Sequence, residues 1–316
     1  MIFTIKVPAT SANLGPGFDT LGLALDLWNE TTITPAKEFS AQVSGEGAGR
    51  LASGKNNLLV RAAQRVAERA GDVKGRHIGL PLPPFHAECA NRIPLSSGMG
   101  SSSAAILTGL LAGNALLENP FSREEILNLA CEMEGHPDNV APAMMGGLVV
   151  STVEDRKVIA RRIPIMGEQG GQGGHIGPPQ QITIALPDFY LPTKQARAAL
   201  PKKVSMRNAI HNISRTALVI EAFRNGDLDL LGKVMSDKLH QPYRLKLISG
   251  AASAMEAAKE AGASAVALSG AGPSVIAFSM GEAGIGESMK RAYEAAGVEA
   301  RIFRLGVASR GAELEK

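Results

Sequence analysis

The sequence predicts a two-domain protein of the α+β or α/β class, because strand-like and helix-like segments alternate in both halves of the chain. The chain of 316 residues is long enough for two domains with substantial cores. Residues 166–181, MGEQGGQGGHIGPPQQ, separate the halves and hold six glycines and two prolines. This glycine-rich insertion has too little apolar surface to offset its ordering entropy, so we expect it to be flexible. The predicted domains are therefore residues 1–165 and 182–316.

Strand and helix signals follow one another through the first half. The expected strands are Ile2–Val7, which should end at Pro8, and a strand pair within Leu21–Pro35. The expected helices are residues 56–71, stopped by Gly71, residues 104–117, and a segment from Ser122, whose spacing to Glu125 is that of a capping box, to Gly135. In the second half we expect a strand at 182–188, helices at 206–225 and 250–261, and two strands joined by a glycine turn within 263–280.

The composition is that of an ordinary globular protein, with 45% hydrophobic and 20% charged residues. A net charge of +3 is too small to indicate binding to nucleic acid or to an anionic membrane surface. The sequence shows no run long enough for a membrane span and no secretory signal. Cys89 and Cys131 lack metal-site or redox-motif spacing, which favours two reduced thiols. We therefore expect a cytoplasmic protein.

A loop rich in serine and glycine, residues 94–105 with the sequence PLSSGMGSSSAA, precedes a predicted helix. Gly98 and Gly100 permit positive φ and close approach of a ligand, and a helix N-terminus presents unpaired N–H groups to phosphate. The serine hydroxyls can cap the helix, contact phosphate oxygens or reach a magnesium ion. The same residues also fit a well-capped helix after a flexible turn. The loop matches neither a Walker A motif nor a dinucleotide fingerprint.

Three segments together resemble the homoserine kinases of the GHMP superfamily of small-molecule kinases. Residues 94–105 resemble the phosphate-binding motif, with Met99 where the family usually has leucine. Residues 7–25, VPATSANLGPGFDTLGLAL, resemble the N-terminal substrate motif, and residues 268–278, LSGAGPSVIAF, resemble the C-terminal glycine motif. The resemblance implies an α+β fold of two domains, the first like domain 2 of ribosomal protein S5 and the second ferredoxin-like. It also implies a homodimer.

The resemblance implies that ATP binds around this loop. The implied nucleotide contacts are Asn57, Arg92, Pro94, Leu95, Ser96, Ser97, Gly98, Met99, Gly100, Ser101, Ser102, Ser103, Gly270 and Gly272. The implied ligands of Mg²⁺ are Ser102 and Glu134. A bound cation would offset the unfavourable position of Glu134 in the last turn of its helix. Because His136 follows the Glu-Gly pair without the extra residues of many relatives, Glu132 remains an alternative ligand.

The resemblance also implies an amino-acid acceptor. The implied contacts are Asn13, Asp19, His136, Asp138, Thr193, Arg197 and Arg244. Asp19 suits an ammonium group, whereas the planar guanidinium groups of Arg197 and Arg244 suit a carboxylate. Asn139 lies where some relatives have an aspartate, and an amide cannot act as a base. We therefore expect direct loss of the hydroxyl proton, with Asn139 orienting the hydroxyl and Arg197 and Mg²⁺ offsetting the developing charge.

The implied reaction transfers the γ-phosphoryl group of ATP to the side-chain hydroxyl of L-homoserine, giving O-phospho-L-homoserine on the route to threonine. One alternative is another GHMP kinase, such as a mevalonate-type enzyme with a different alcohol as acceptor. A second alternative is a non-catalytic protein that keeps the fold as a binding scaffold, because fold alone does not fix function.

Overall fold

The structure is a computed structural model that describes residues 2–73, 81–165 and 181–316. The strands are β1 Phe3–Ala12, β2 Leu21–Pro35, β3 Ser40–Gly45, β4 Phe85–Asn91, β5 Leu148–Glu154, β6 Lys157–Ile163, β7 Gln181–Pro187, β8 Ala265–Leu268, β9 Val275–Ser279, β10 Ala300–Leu305 and β11 Glu313–Glu315. The helices are α1 Leu58–Val73, α2 Ser101–Leu116, α3 Arg123–Glu134, α4 Pro137–Met145, α5 Thr193–Ala198, α6 Met206–Asn225, α7 Leu228–Val234, α8 Gln241–Arg244, α9 Ala251–Glu260 and α10 Ile285–Ala295. The predicted glycine-rich insertion, except its last residue, lies outside the described residues.

The first half is built on a seven-stranded sheet in which β11, β1, β2, β4 and β3 are neighbours in that order, and β5 joins β2 to β6. Two sequence expectations about this sheet were wrong. β1 does not end at Pro8, because a shift in register between Pro8 and Ala9 lets the strand continue past the missing N–H. Leu21–Pro35 is one long strand rather than a pair, since it stays paired with β1 on both sides of the same irregularity.

The second half is built on a four-stranded antiparallel sheet in the order β10, β7, β9 and β8. Its side chains alternate between two faces, as the period of two in a strand requires. Ile184, Ile276 and Phe278 belong to the main core, whereas Val275 and Leu268 belong to a second core with residues of α9 and α10. The main core therefore continues from the first sheet into the second half, so the two halves are packed together.

The chain returns to the first sheet at its C-terminal end. β11 pairs with β1, Thr4 opposite Glu315, and Val307 bridges to Leu25. These last residues therefore join the first sheet, although they fall within the predicted second domain of 182–316, whose boundaries stay a prediction. Their sequence, ELE, carries no apolar pattern that would reveal the partner strand.

The helices near the loop begin and end largely as their sequence indicates. α3 has the predicted capping box of Ser122 and Glu125, and Gly135 ends it in the left-handed conformation. α1 continues to Val73, past the predicted stop at Gly71. α4, which begins after His136 with a proline in its first turn, was not predicted. No helix within residues 2–73, 81–165 and 181–316 is long and apolar enough to cross a membrane.

Candidate active site

A cavity of about 140 Å³ lies where the loop of residues 94–105 meets segments from both halves of the chain. It brings together most of the residues that the sequence predicted for the acceptor and for the phosphates. Its walls are formed by Asn13, Asp19, Ser96, Ser97, Gly98, Gly100, Ser101, Ser102, Glu134, His136, Asp138, Asn139, Leu191, Thr193, Arg197, Arg244, Gly270, Ala271 and Gly272.

The loop reaches this cavity through two glycines in the left-handed conformation. Gly98 has φ 77°, and a Cβ there would lie 2.2 Å from the carbonyl oxygen of Ser269. Gly100 has φ 73°, and a Cβ there would lie 2.0 Å from the Thr10 hydroxyl. Both positions therefore require glycine for conformation and for space. Gly100 immediately precedes α2, so the loop delivers the free N–H groups of that helix to the cavity.

The C-terminal glycine motif supports the loop from behind. The Ser269 hydroxyl donates to the Gly98 carbonyl at 2.8 Å, and the Gly270 N–H donates to the Ala12 carbonyl at 3.1 Å. Asn13 links the same segments, because its amide donates to the Gly270 carbonyl and accepts from the Asp19 N–H. Asn13 is buried and faces the cavity with both of its polar atoms already paired, which indicates a positioning task for this predicted acceptor residue.

The two predicted metal ligands lie side by side. The Ser102 hydroxyl is 2.9 Å from Oε2 of Glu134, and both residues line the cavity. Glu132, the alternative ligand, lies instead 3.6 Å from Arg65 and lines a separate depression. A hydroxyl and a carboxylate beside a phosphate-binding loop suit Mg²⁺, which prefers oxygen ligands and completes its shell with phosphates and water. Within the described residues no group of three or more His, Cys, Asp or Glu could hold a metal.

The first turn of α4 presents the predicted catalytic amide. The Thr10 hydroxyl donates to Oδ1 of Asn139 at 2.8 Å, which leaves the Nδ2 hydrogens of Asn139 for a ligand and for a 3.5 Å contact to Asp138. The buried Asp138 carboxylate also contacts Nδ1 of His136 at 2.5 Å. Burial lowers the pKa of His136, but the hydrogen bond and charge of Asp138, together with Glu134, outweigh it and raise the pKa. The carboxylate beside Asn139, that of Asp138, is therefore already paired with His136.

The two predicted arginines differ in their partners. Arg197, one turn after Thr193 on α5, donates two parallel hydrogen bonds to Asp19 at 2.9 and 2.7 Å. The hydrogen bonds to Asp19 raise the pKa of Arg197 despite its partial burial. Asp19 and Arg197, both predicted to bind the acceptor, therefore form one ion pair at the cavity wall and can present either charge to a zwitterion.

Arg244 is buried, with 1% of its surface exposed, and forms no ion pair within the described residues. Its Nη1 donates to Nδ1 of His240 and to the Gly270 carbonyl, and its Nε has no hydrogen-bond partner there. Burial, and then the charge of Arg197, lower the pKa of Arg244 to about 10, so it stays charged at neutral pH. A buried cation without a carboxylate is costly, and an anionic ligand would remove that cost.

A second cavity of about 350 Å³ adjoins the loop on the side of α1 and β4. Asn57 lines it, but the side-chain amide is engaged with the Ala52 carbonyl and the Leu59 N–H, so it fixes the start of α1. Arg92 lines neither cavity, because its side chain is exposed and points toward Glu30 at 3.6 Å. The cavity also contains Leu95, Ser96 and Ser101 from the loop, which connects it to the first cavity.

Three residues predicted to contact the nucleotide lie behind the loop and line neither cavity. The Pro94 carbonyl accepts from Ser97, and the Met99 carbonyl accepts from the Thr10 N–H. Ser103 is fully buried in the first turn of α2. These positions shape the loop through packing and backbone hydrogen bonds. The sequence motif alone does not distinguish such residues from those that would contact a nucleotide directly.

Sequence reasoning missed Thr10, Phe18 and His240, which touch the predicted residues directly. Thr10 holds Asn139, and the Phe18 ring lies within cation–π distance of both Arg197 and Arg244. His240 lies one helical turn before Arg244, a spacing that could have indicated their contact. Thr10 and Phe18 carry no such local signal, since their partners are distant in sequence.

Two family models match the chain. The model for the N-terminal domain of GHMP kinases covers residues 57–147, and the model for the C-terminal domain of GHMP kinases covers residues 219–298. Among curated relatives, the homoserine kinase of Moorella thermoacetica is 44% identical over 98% of both chains. The homoserine kinase of Carboxydothermus hydrogenoformans is 42% identical over 98% of this chain and 95% of that protein.

Solved structures agree with these relatives. A homoserine kinase from Cytophaga hutchinsonii superposes with a TM-score of 0.81 at 27% identity, covering 99% of this chain and 97% of that one. A putative homoserine kinase from Listeria monocytogenes superposes with a TM-score of 0.75 at 31% identity, covering 99% of both chains. The predicted α+β GHMP kinase fold of two domains is confirmed. The chain belongs to the GHMP kinase family and, within that family, to the homoserine kinases.

Proposed function

We infer that this chain transfers the γ-phosphoryl group of ATP to the side-chain hydroxyl of L-homoserine, giving O-phospho-L-homoserine and ADP in threonine biosynthesis. One observation carries the inference for the site: the glycine loop lines the same cavity as the buried Arg244 guanidinium, which has no carboxylate partner in the described part of the chain. A phosphate-binding loop alone fits any kinase of this fold. A buried cation facing that loop fits an acceptor that carries an anionic group, and an amino-acid carboxylate meets this need.

The acceptor is held by charges at its amino-acid end. The carboxylate accepts hydrogen bonds from Arg244, whose burial makes the interaction strong because little water competes for it. The Asp19 carboxylate receives the ammonium group while it remains bonded to Arg197. Thr193 at the start of α5 and His136 complete the wall. With these groups fixed, the side-chain hydroxyl extends toward Asn139 and the loop.

The transfer forms a bond between the acceptor oxygen and the γ-phosphorus and breaks the bond from that phosphorus to the oxygen bridging to the β-phosphate. Such transfers depend mainly on positioning and charge stabilisation, so a strong base is not required. Nδ2 of Asn139 donates to the hydroxyl oxygen and orients it, held by Thr10. The hydroxyl proton leaves to a phosphate oxygen or to water. The N–H groups at the start of α2 and the Arg197 charge stabilise the transferring group.

We propose that Ser102 and Glu134 hold a magnesium ion that accompanies ATP. Their oxygens lie 2.9 Å apart at the mouth of the phosphate loop, and this donor set fits the preference of Mg²⁺ for oxygen. When bound, the ion neutralises phosphate charge and orients the triphosphate. The adenine ring is accommodated in the second cavity, between α1 and β4, with the loop joining it to the phosphates.

The substrate assignment is tested by ADP release in a coupled assay with homoserine, mevalonate, shikimate and galactose as acceptors. We expect turnover with homoserine and none above background with the three alcohols that lack an ammonium group. A mevalonate-type enzyme would instead use mevalonate, which also carries a carboxylate, and such a result would overturn the assignment. A non-catalytic scaffold would release no ADP with any acceptor.

We propose that two copies of the chain associate through α6. Its exposed side includes Met206, Ile210 and Ile213, at the i, i+4 and i+7 spacing of one helix face, with exposed fractions of 75%, 57% and 71%. Lysine and arginine surround its first turn, at 202, 203 and 207, and near its end Glu221 lies 3.7 Å from Arg224. A symmetric dimer buries such an exposed apolar face against the same face of its copy.

Light scattering after gel filtration tests this dimer. The wild type should elute with twice the mass of the chain, and Ile213→Asp should elute as a monomer. Val153→Asp, an exposed apolar residue on β5, serves as the matched control and should leave the mass unchanged. A monomeric wild type, or a dimeric Ile213→Asp variant, would contradict the proposal.

We also propose a cytoplasmic location. The proposed donor, ATP, is available there, and Cys89 and Cys131 are both free and buried, as is usual for proteins of reducing compartments. Fractionation of cells that produce the tagged full chain would check this, with recovery outside the cytoplasmic fraction as the contradicting result.

A further inference from the structure

His240 lies directly behind Arg244 and is fully buried. Its Nε2 is 2.8 Å from the carbonyl oxygen of Gly15, and its Nδ1 is 3.1 Å from Nη1 of Arg244. The first contact links the ring to the loop between β1 and β2, and the second links it to the Arg244 guanidinium that lines the cavity. The imidazole therefore bridges two segments of the site, although it does not line the cavity itself.

The two contacts require one tautomer. A backbone carbonyl can only accept a hydrogen bond, so Nε2 must carry the proton. An arginine Nη can only donate, so Nδ1 must be unprotonated and accept. Neutral His240 with its proton on Nε2 satisfies both neighbours. Either other form of the ring would turn a second donor toward Arg244 and break the contact.

Neighbouring groups hold the ring in this orientation. The Phe18 ring stacks on it with centroids 5.3 Å apart and an angle of 23° between the planes. Oδ2 of Asp237 accepts the backbone N–H of His240 at 2.9 Å, and Oδ1 of Asp237 accepts from Asn212. The ring thus has little freedom to rotate, and its Nδ1 lone pair points at the guanidinium from a fixed place.

We propose that His240 is a positioning residue for the acceptor carboxylate: it accepts a hydrogen bond from Arg244 and thereby fixes the guanidinium toward the cavity. This inference rests on the proposed function, because it gives Arg244 the task of binding a carboxylate. Arginine has a long, flexible side chain, so its free groups bind an anion well only when its orientation is set in advance. The Gly270 carbonyl, 3.3 Å from the same Nη1, provides a weaker second constraint.

Burial of the ring, together with the charge of Arg244, favours its neutral form. Asp237 and Asp19 favour the protonated ring, whereas Arg244 disfavours it. Burial is the largest influence and, with Arg244, lowers the pKa of His240 below its ordinary value. At neutral pH the ring therefore accepts from Arg244 instead of repelling it.

A pair of substitutions separates the two contacts. Oδ1 of an asparagine can take the place of Nδ1, so His240→Asn keeps an acceptor for Arg244 but loses the bond to Gly15. Nε2 of a glutamine can take the place of the ring Nε2, so His240→Gln keeps the bond to Gly15 but loses the acceptor. His211→Gln is the matched control, because that histidine is near the surface and contacts Ser236.

The measurements are kcat, KM for homoserine and KM for ATP, with 3-aminopropan-1-ol, which lacks the carboxylate, as a second acceptor. We expect His240→Gln to raise KM for homoserine about tenfold or more, because the variant loses a hydrogen bond to a charged group. KM for ATP should change little. The preference for homoserine over 3-aminopropan-1-ol should fall by a similar factor. His240→Asn should recover most of this preference, and His211→Gln should match the wild type.

Two results would overturn the inference. One is an unchanged preference in His240→Gln, and the other is an equal loss for homoserine and 3-aminopropan-1-ol in both variants, which indicates a merely structural role. A wild type without any preference for homoserine would instead refute the proposed function. If neither variant folds, ¹⁵N NMR of the wild type decides: a proton on Nε2 and none on Nδ1 is expected, and the opposite tautomer contradicts the proposal.

Discussion

The cavity has one end that we propose to bind phosphate, here the phosphate end, and one that we propose to bind the acceptor, here the acceptor end, and they consist of different kinds of group. The phosphate end consists of backbone N–H groups, two glycines with positive φ and the start of α2, all within residues 98–103. The acceptor end consists of side chains contributed by four separate segments, around residues 13–19, 136–139, 193–197 and 240–244. The first end is a single short stretch that Ser269 supports through its hydrogen bond to Gly98, whereas the second exists only after the two halves have packed.

This difference explains why one fold serves many acceptors. Backbone groups at a helix N-terminus bind phosphate without depending on particular side chains. The acceptor end can change through single side chains while the loop stays in place.

The largest effect is expected at the phosphate end, from Gly98→Ala. Its Cβ would meet the Ser269 carbonyl at 2.2 Å, so the loop must move and its N–H groups lose their alignment. We expect kcat/KM to fall about 1,000-fold, since removing even one aligned donor of this kind costs 10²–10³. Gly49→Ala is the control: its φ is also positive, at 71°, but nothing lies within 4 Å of its Cβ. Steady-state kinetics would contradict the prediction if Gly98→Ala stayed within tenfold of the wild type.

The next effect is expected at the acceptor end, from Arg244→Met. This variant loses the buried partner of the acceptor carboxylate, so kcat/KM for homoserine should fall about 100-fold. KM for ATP should change less than about threefold, because the loop is untouched. Arg304→Met, an exposed arginine 3.9 Å from Glu287, should behave as the wild type. Equal changes for both substrates would mean that the two ends are not separable in this way.

A smaller effect is expected where the two ends meet, from Glu134→Gln. The amide keeps the shape of the side chain but removes the charge that would attract a magnesium ion. The Mg²⁺ concentration that gives half-maximal rate should rise about tenfold, as for the loss of one charged contact. Glu132→Gln should leave it within about twofold, since Glu132 faces Arg65. A larger effect of Glu132→Gln than of Glu134→Gln would reverse the assignment of the ligand.

The smallest effect is expected in the second cavity and concerns Cys89. Burial raises the pKa of its thiol, so alkylation of the native protein at pH 8 should be slow. Because Cys89 lines the cavity proposed for adenine, ATP should slow its alkylation a few-fold further. Cys131, which lines neither cavity, is the control and should show no ATP effect. Mass spectrometry after timed labelling measures alkylation at both sites. Equal protection of both thiols would mean that ATP does not act by covering Cys89, which would contradict the proposed adenine site.

Sequence patterns were most informative where neighbours along the chain interact. The capping box of Ser122 and Glu125 and the left-handed Gly135 follow from residues within one or two turns. The glycines at 98 and 100 indicated a close approach of backbone to ligand, and the structure gives both of them positive φ. Pro8 misled the same reasoning, because the shift in register that accommodates it depends on the partner strand.

The sequence by itself indicated the family, through the resemblance of three motifs. It also predicted the two-domain α+β class and a loop suited to phosphate, because helix starts, glycine conformations and strand alternation depend on short stretches of chain. Only the tertiary structure decided that Arg197 is paired with Asp19, that Arg244 has no carboxylate partner among the described residues and that His240 lies behind it. It also placed β11 beside β1. These contacts join residues that lie far apart in the chain. Burial sets how strongly each charge interacts with its neighbours, and no local sequence pattern shows which charges will be buried.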